Sequence, residues 1–218
     1  MLIEVYDLYH DGIHEKIHSM NCHGVAVIMP TTNLTQAIDS ARRMINLAHY
    51  PLRMIIGHDI ARVGFIKTLN TIAKEINAEF IVYVAQDSLA GAGWLKIAME
   101  NLVENDKSLF AFNDGIWKGR LAQFGVVRMK FSEKLYGLGN IFYTGYHTHR
   151  ADDELTLISK LTDQYSYSAD ALMLEVDYRS TLIINPKDIS LFSKRKIEII
   201  DKFKNHRLRK RWWAEQSV

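Results

Sequence analysis

The chain has 218 residues, 48% hydrophobic and 24% charged, which is the composition of one globular domain with a sizeable core. Three prolines and twelve glycines argue against long disordered linkers, a single cysteine excludes an intrachain disulfide, and no apolar run reaches the roughly 18 residues that span a bilayer. The net charge of +2 conceals an asymmetry, because residues 194–213 hold nine Lys/Arg and two Asp/Glu, leaving 18 basic against 23 acidic residues elsewhere.

The amino terminus lacks a basic start followed by an apolar stretch, so it does not read as a secretory signal, and the chain reads as cytoplasmic. Residues 1–23 form an N-terminal extension in which MLIEVYDLY suits an extra strand or a docking arm. His10, His14, His18 and Cys22 recur every four residues, which on a helix is one face. Zinc uses such faces, although a solvated face with an accidental register is the commoner explanation.

From Gly24 onward strand and helix patterns alternate. Val25 to Met29, closed by Pro30, has the form of a buried strand. Asn33 or Thr35 is placed to cap the next helix, whose Ala37, Ala41, Met44, Ile45 and Ala48 keep helical spacing. Arg53 to Ile56 reads as a second strand stopped by Gly57, residues 65–76 as a second helix, and Phe80 to Val84 as a third strand. A helix from Trp94 to Val103 and a strand from Leu109 to Phe112 follow. This order predicts a single α/β domain over residues 1–193, with a mostly parallel central sheet and helices on both faces.

The basic, aromatic segment 194–218 forms a C-terminal tail. Ile197, Ile200 and Phe203 have helical spacing, and Leu208 and Trp212 extend a looser stripe. Such a tail packs as a terminal helix with a solvated basic face, lies on an anionic membrane surface, or contacts nucleic-acid phosphates. A membrane contact would make the protein peripheral to a bilayer.

Ligands of parallel sheets bind beyond the carboxyl ends of the strands. Three turns fall there: Pro30-Thr31-Thr32-Asn33, Gly57-His58-Asp59 and Ala85-Gln86-Asp87-Ser88. A carboxylate in each of the last two suits a nucleoside diphosphate, one acid accepting from base or ribose and the other holding a divalent cation on the phosphates. Asp in such turns also serves as a plain cap, so the ordered set carries more weight than any member. After the fourth strand, Asn113-Asp114-Gly115 is a turn signal that places Asn113, Asp114 and Trp117 near the same rim. Trp94 reads as a core residue, and Gly137-Leu138-Gly139-Asn140 as a flexible linker.

In this order GVAVIMPTTN, IIGHD, AEFIVYVAQDSLAGAGWL and ADDEL resemble the motifs of family-two glycosyltransferases with the GT-A fold, over residues 24–176. The resemblance implies a Rossmann-like domain that binds a nucleoside-diphosphate sugar and Mn²⁺ or Mg²⁺. It places Pro30, Thr31, Thr32, Asn33, Asp59, Gln86, Asn113 and Asp114 around the donor. It makes Asp87 the metal ligand and Asp152 the catalytic base, with Asp153 as the alternative. Ala85 departs from the pattern by replacing the first acid of the Asp-x-Asp motif. A single carboxylate needs further donors, and His147 and His149 are the candidates, unless they only line the acceptor cleft. The acceptors implied are glycans or lipid-linked glycans. The alternatives are a modified nucleic-acid base and, because of Ala85, a catalytically silent nucleotide-sugar-binding subunit.

Overall fold

A computed structural model describes residues 3–9, 12–13, 24–176 and 185–203. The His10, His14, His18 and Cys22 series and the tail beyond residue 203 lie outside the described residues. The elements run β1 (Ile3–Tyr9), β2 (Gly12–Ile13), β3 (Val25–Thr31), α1 (Leu34–Leu47), β4 (Arg53–Asp59), α2 (Phe65–Glu75), β5 (Phe80–Tyr83) and β6 (Ser88–Ala90). They continue as α3 (Trp94–Glu104), β7 (Leu109–Asn113), β8 (Gly125–Arg128), α4 (Met129–Tyr136), α5 (Ala151–Leu161), β9 (Tyr165–Glu175) and α6 (Pro186–Phe203).

One sheet carries the strands in the order β2-β1-β4-β3-β5-β8-β7-β9-β6. Strands β1, β4, β3 and β5 are parallel neighbours, which makes the N-terminal segment an added strand beside β4. Arg53 and Glu4 tie the two together through two 2.6 Å hydrogen bonds. The expectation of a mostly parallel sheet is corrected here. Strand β8 runs antiparallel between β5 and β7, β6 pairs antiparallel with β9, and β2 pairs antiparallel with β1. The cause is the connection: residues 114–124 hold no helix to carry the chain across the sheet, so the strand that follows β7 returns beside it. Gly125 permits this insertion, because a Cβ there would stand 2.6 Å from the Tyr83 hydroxyl and 2.8 Å from the Phe110 carbonyl oxygen.

The buried strands feed two cores by period-two alternation. Val25, Val27 and Met29 face α1 and α3, whereas Ala26 and Ile28 face α2, α4, α5 and α6. Helices therefore cover both faces, as expected. Trp94 is fully buried and donates from Nε1 to the Met44 carbonyl at 3.0 Å, which makes it a core residue. Asn33, not Thr35, caps α1 by accepting from the Gln36 N–H at 3.2 Å.

Two strands run further than their sequence breakers suggest. Strand β4 continues through Gly57, which is a site of close approach, since a Cβ there would collide with Ile72 of α2. Strand β3 continues through Pro30, a level at which β4 pairs with it but β5 does not. The Gly137–Asn140 segment is a structured turn, not a flexible linker. The Gly137 N–H bonds the Glu133 carbonyl, the Gly139 N–H bonds Glu133 Oε1, and Asn140 is buried.

Helix α6 runs through the point where the basic tail begins. Its inward face carries Asp188, Arg195, Ile199 and Phe203, whereas Ile197, which spacing assigned to the apolar stripe, is 65% exposed. Arg195 donates to both oxygens of the fully buried Glu154 at 2.6 and 2.7 Å, and the Tyr146 hydroxyl adds a 2.8 Å bond. Arg195→Met is expected to lower the unfolding free energy by about 3–5 kcal/mol, because it strands a buried charge. Urea denaturation reads this directly, and a loss within the noise would mean that the Tyr146 hydroxyl alone satisfies Glu154.

Candidate functional site

The three predicted turns meet at one rim. Gln86 stitches two of them together: its Oε1 accepts from Thr31 Oγ1 at 2.6 Å and from the N–H groups of Thr32 and Asn33 at 3.0 and 3.2 Å. Its Nε2 donates to Gln36 Oε1 at 3.1 Å, so the amide also fixes the start of α1. Asp59, at the end of β4, is buried and accepts from the Val63 and Gly64 N–H groups at 2.8 Å each. These bonds bend the chain into α2 and bring Phe65 to the rim.

The rim opens on a cleft with two lobes. The first, of about 470 Å³, is bordered by Pro30, Thr31, Thr32, Asp59, Gln86 and Asp87. The second, of about 460 Å³, is bordered by Trp117, Leu121, Phe142, Arg150, Asp152 and Asp153. Phe65, Ala85, Thr148, His149 and Glu175 border both, so the two lobes adjoin along a shared wall.

Not every candidate reaches it. Asn33 is used as the α1 cap and borders neither lobe. Asp114 is buried, and its Oδ1 accepts from the N–H groups of Ile116, Trp117 and Lys118 at 2.9, 2.7 and 3.2 Å. It shapes the loop that carries Trp117 into the second lobe. Asn113 holds the same turn, accepting from the Gly115 N–H and donating to the Ala169 carbonyl. His147 borders a separate hollow beside Lys67 and Lys74, whereas His149 borders the cleft.

Sequence reasoning missed Glu175, Phe65 and Thr148. Glu175 ends β9 and accepts from Gln123 Nε2 at 2.6 Å. The sequence signal for it was the short apolar run Ala171-Leu172-Met173-Leu174 directly ahead of it.

The neighbouring acids Asp152 and Asp153 sit in different surroundings at the start of α5. Burial and the adjacent Asp153 charge push Asp152 up to about 7, against the opposing pull of the helix-start N–H groups and Arg150. Asp153 is paired with Arg150, Nη1 lying 3.2 Å from Oδ2. Two carboxylates separated in this way can divide labour, one as a proton carrier near neutrality and the other as a fixed charge.

Among the described residues no three His, Cys, Asp or Glu side chains converge to hold a metal ion unaided. Asp87 and His149 border the same lobe, however, and His149 Nδ1 is buried without a protein hydrogen-bond partner. Burial also lowers the His149 pKa, favouring the neutral imidazole that binds metals. One carboxylate and one imidazole would suit a divalent ion if further oxygen donors filled its remaining positions.

By sequence, the chain matches no protein family and no curated protein. By structure it is similar to the mannosyltransferase PcManGT of Pyrobaculum calidifontis, solved with GDP-Man and Mn²⁺, at 16% identity over 77% of this chain and 62% of that one, with a TM-score of 0.55. It is also similar to S. aureus TarS 1–349 in complex with UDP, at 14% identity over 81% of this chain and 65% of that one, with a TM-score of 0.61. A Drosophila galactosyltransferase 7 mutant with manganese, UDP-Gal and xylobiose gives 11% identity over 77% of this chain and 79% of that one, with a TM-score of 0.53. The chain spans less than two thirds of the length of the first two. No described helix is long and apolar enough to cross a membrane. The chain shares the GT-A fold with these solved structures.

Proposed function

We propose that the protein is a metal-dependent glycosyltransferase that moves a sugar from a nucleoside diphosphate to an acceptor hydroxyl on a glycan or lipid-linked glycan. The observation that carries this is the shared wall of the cleft: Asp87 borders one lobe, Asp152 the other, and His149 both. Thr31, Thr32 and Asp59 hold the nucleoside. Asp87 and His149 hold Mn²⁺ or Mg²⁺, which when bound neutralises charge on the departing diphosphate. Asp152 removes the proton of the acceptor hydroxyl as its oxygen bonds to the anomeric carbon and the bond to the diphosphate breaks. Trp117 offers an aromatic face to a sugar ring, and Glu175 stands where both substrates pass. The GDP-Man, UDP and UDP-Gal complexes of the structural neighbours support a donor of this class.

A panel of nucleotide sugars, scanned for thermal stabilisation with and without Mn²⁺, tests the donor site. A true donor at 100 times its dissociation constant should add about 2.7 kcal/mol. If no member stabilises the protein in Mn²⁺, the proposal fails. Because Asp152 must be ionised to accept a proton and its pKa stands at about 7, kcat/KM should rise through that pH and level off above it. A profile flat from pH 6 to pH 8 would remove Asp152 as the base.

Ala85 supports a second reading, a silent nucleotide-sugar-binding subunit, which predicts donor binding with neither transfer nor hydrolysis. The basic run at 194–213 supports a modified nucleic-acid base as the other acceptor class. That acceptor predicts a DNA affinity that falls steeply with salt.

A further inference from the structure

We infer that Asp188 is a positioning residue of the cleft, an inference that rests on the function proposed above. It lies in the first turn of α6, 2% exposed, and its carboxylate accepts three consecutive backbone N–H groups. Oδ1 takes the His147 N–H, and Oδ2 takes those of Thr148 and His149, each at 3.0 Å. Three successive amides aimed at one anion force the loop into a concave turn and set the directions of its side chains. His147 is turned to the outer hollow, and Thr148 and His149 border the cleft. Arg150 follows in the left-handed region at φ +72°, and the chain enters α5 with Asp152 in its first turn.

The same helix grips the chain again on the far side of Asp152. Arg195 stands seven residues, or two turns, beyond Asp188 and therefore on the same face. It holds Glu154, two residues past Asp152, and its guanidinium lies 3.6 Å over the Tyr143 ring. Helix α6 thus clamps both flanks of the acid at 152, with anionic and cationic anchors that suit the groups they meet. Charge-assisted bonds of this kind are roughly twice as strong as neutral ones, and the three at Asp188 hold a loop that borders both lobes. Shifting that loop moves His149 relative to Asp87 and the start of α5 relative to the acceptor. A misplacement of about 1 Å is enough to lose roughly 100-fold in rate.

An anchor that served stability alone would, on removal, shrink the folded fraction and leave turnover per folded molecule unchanged. Asp188→Ala and Asp188→Asn in the full-length chain separate the two roles. Asparagine keeps the size and one acceptor oxygen, so it is the conservative rescue. The probes are UDP-GlcNAc and GDP-Man for turnover, and UDP and GDP for binding, each with and without Mn²⁺. The alanine variant should lose about 100-fold in kcat, keep its metal-free nucleotide affinity within about threefold, and recover most of the rate as asparagine.

A kcat within about threefold of wild type in the folded alanine variant overturns the inference. So does a nucleotide affinity that falls in step with kcat in both variants. If wild type turns over neither sugar, transfer of these sugars fails as a function, and the positioning role is read from the gain in nucleotide affinity on adding Mn²⁺. That gain should be present in wild type and absent in Asp188→Ala. Its survival in the alanine variant, or its absence from wild type, overturns the inference.

Discussion

Asp152→Asn is expected to abolish sugar transfer while donor binding survives. A positioned general base contributes about 10²–10⁴-fold, and single-turnover transfer with saturating donor should fall by that factor. Asp153→Asn removes the same charge from the same helix start but takes it from a partly exposed pair with Arg150, so its effect on transfer should be slight and on stability about 0–1 kcal/mol. The stabilities of the two variants should move in opposite directions. The unfolded chain ionises Asp152 at the ordinary carboxylate pKa, whereas the native protein holds the proton up to about 7. Between those values native stability falls as pH rises, and above 7 the full penalty remains. Asparagine escapes it, so the inactive variant should be the more stable protein at pH 8, by on the order of 2 kcal/mol. Loss of transfer in Asp153→Asn instead would shift the catalytic register by one residue. If neither variant slows transfer, the base lies outside the 151–155 segment.

The parts of the site legible in the sequence are those set by local pattern. Apolar runs shortly before Thr31, Asp59 and Asp87 mark the strands, and parallel strands necessarily present their carboxyl ends on one rim. Sheet direction was not legible, because the Gly125–Arg128 strand is four residues long and its neighbours are fixed only when Gly125 packs against Tyr83. The Tyr165–Glu175 strand was hidden by its serines and aspartate, since only Ala171 and Met173 on it are buried. Adjacent or nearly adjacent candidates were also undecidable. His147 and His149 differ by two residues in an irregular loop, and a carboxylate some forty residues away sets which of them borders the cleft. Asp152 and Asp153 are told apart by the salt bridge that Arg150 makes to the second. Asp59, Gln86 and Asp114 were read as rim residues, but Asp114 borders neither lobe, and the hydrogen bonds of all three to loop amides appear only once the turns are folded.

Asp87→Asn is expected to remove the part of donor affinity that depends on Mn²⁺ and to leave the metal-free part unchanged. The turn itself should survive. The Ser88 N–H bonds the Ala85 carbonyl, Ser88 Oγ accepts from the Ala85 N–H, and the Val176 N–H bonds the Asp87 carbonyl, all independently of the carboxylate charge. Asparagine keeps the shape but offers a neutral oxygen to a hard divalent cation, which should weaken the metal-dependent step at least tenfold, or about 1.4 kcal/mol. His149→Ala should act in the same direction, and the double variant should lose less than the sum of the two, since both ligands serve one ion. His147→Ala is the control, because that side chain borders the outer hollow and has no part in the first lobe. Calorimetry of UDP and GDP binding across the four variants, with and without Mn²⁺, separates the cases. A Mn²⁺ increment that survives Asp87→Asn removes that carboxylate from the metal site. An increment lost in His147→Ala but kept in His149→Ala would mean that the loop turns the other imidazole inward when donor and metal bind.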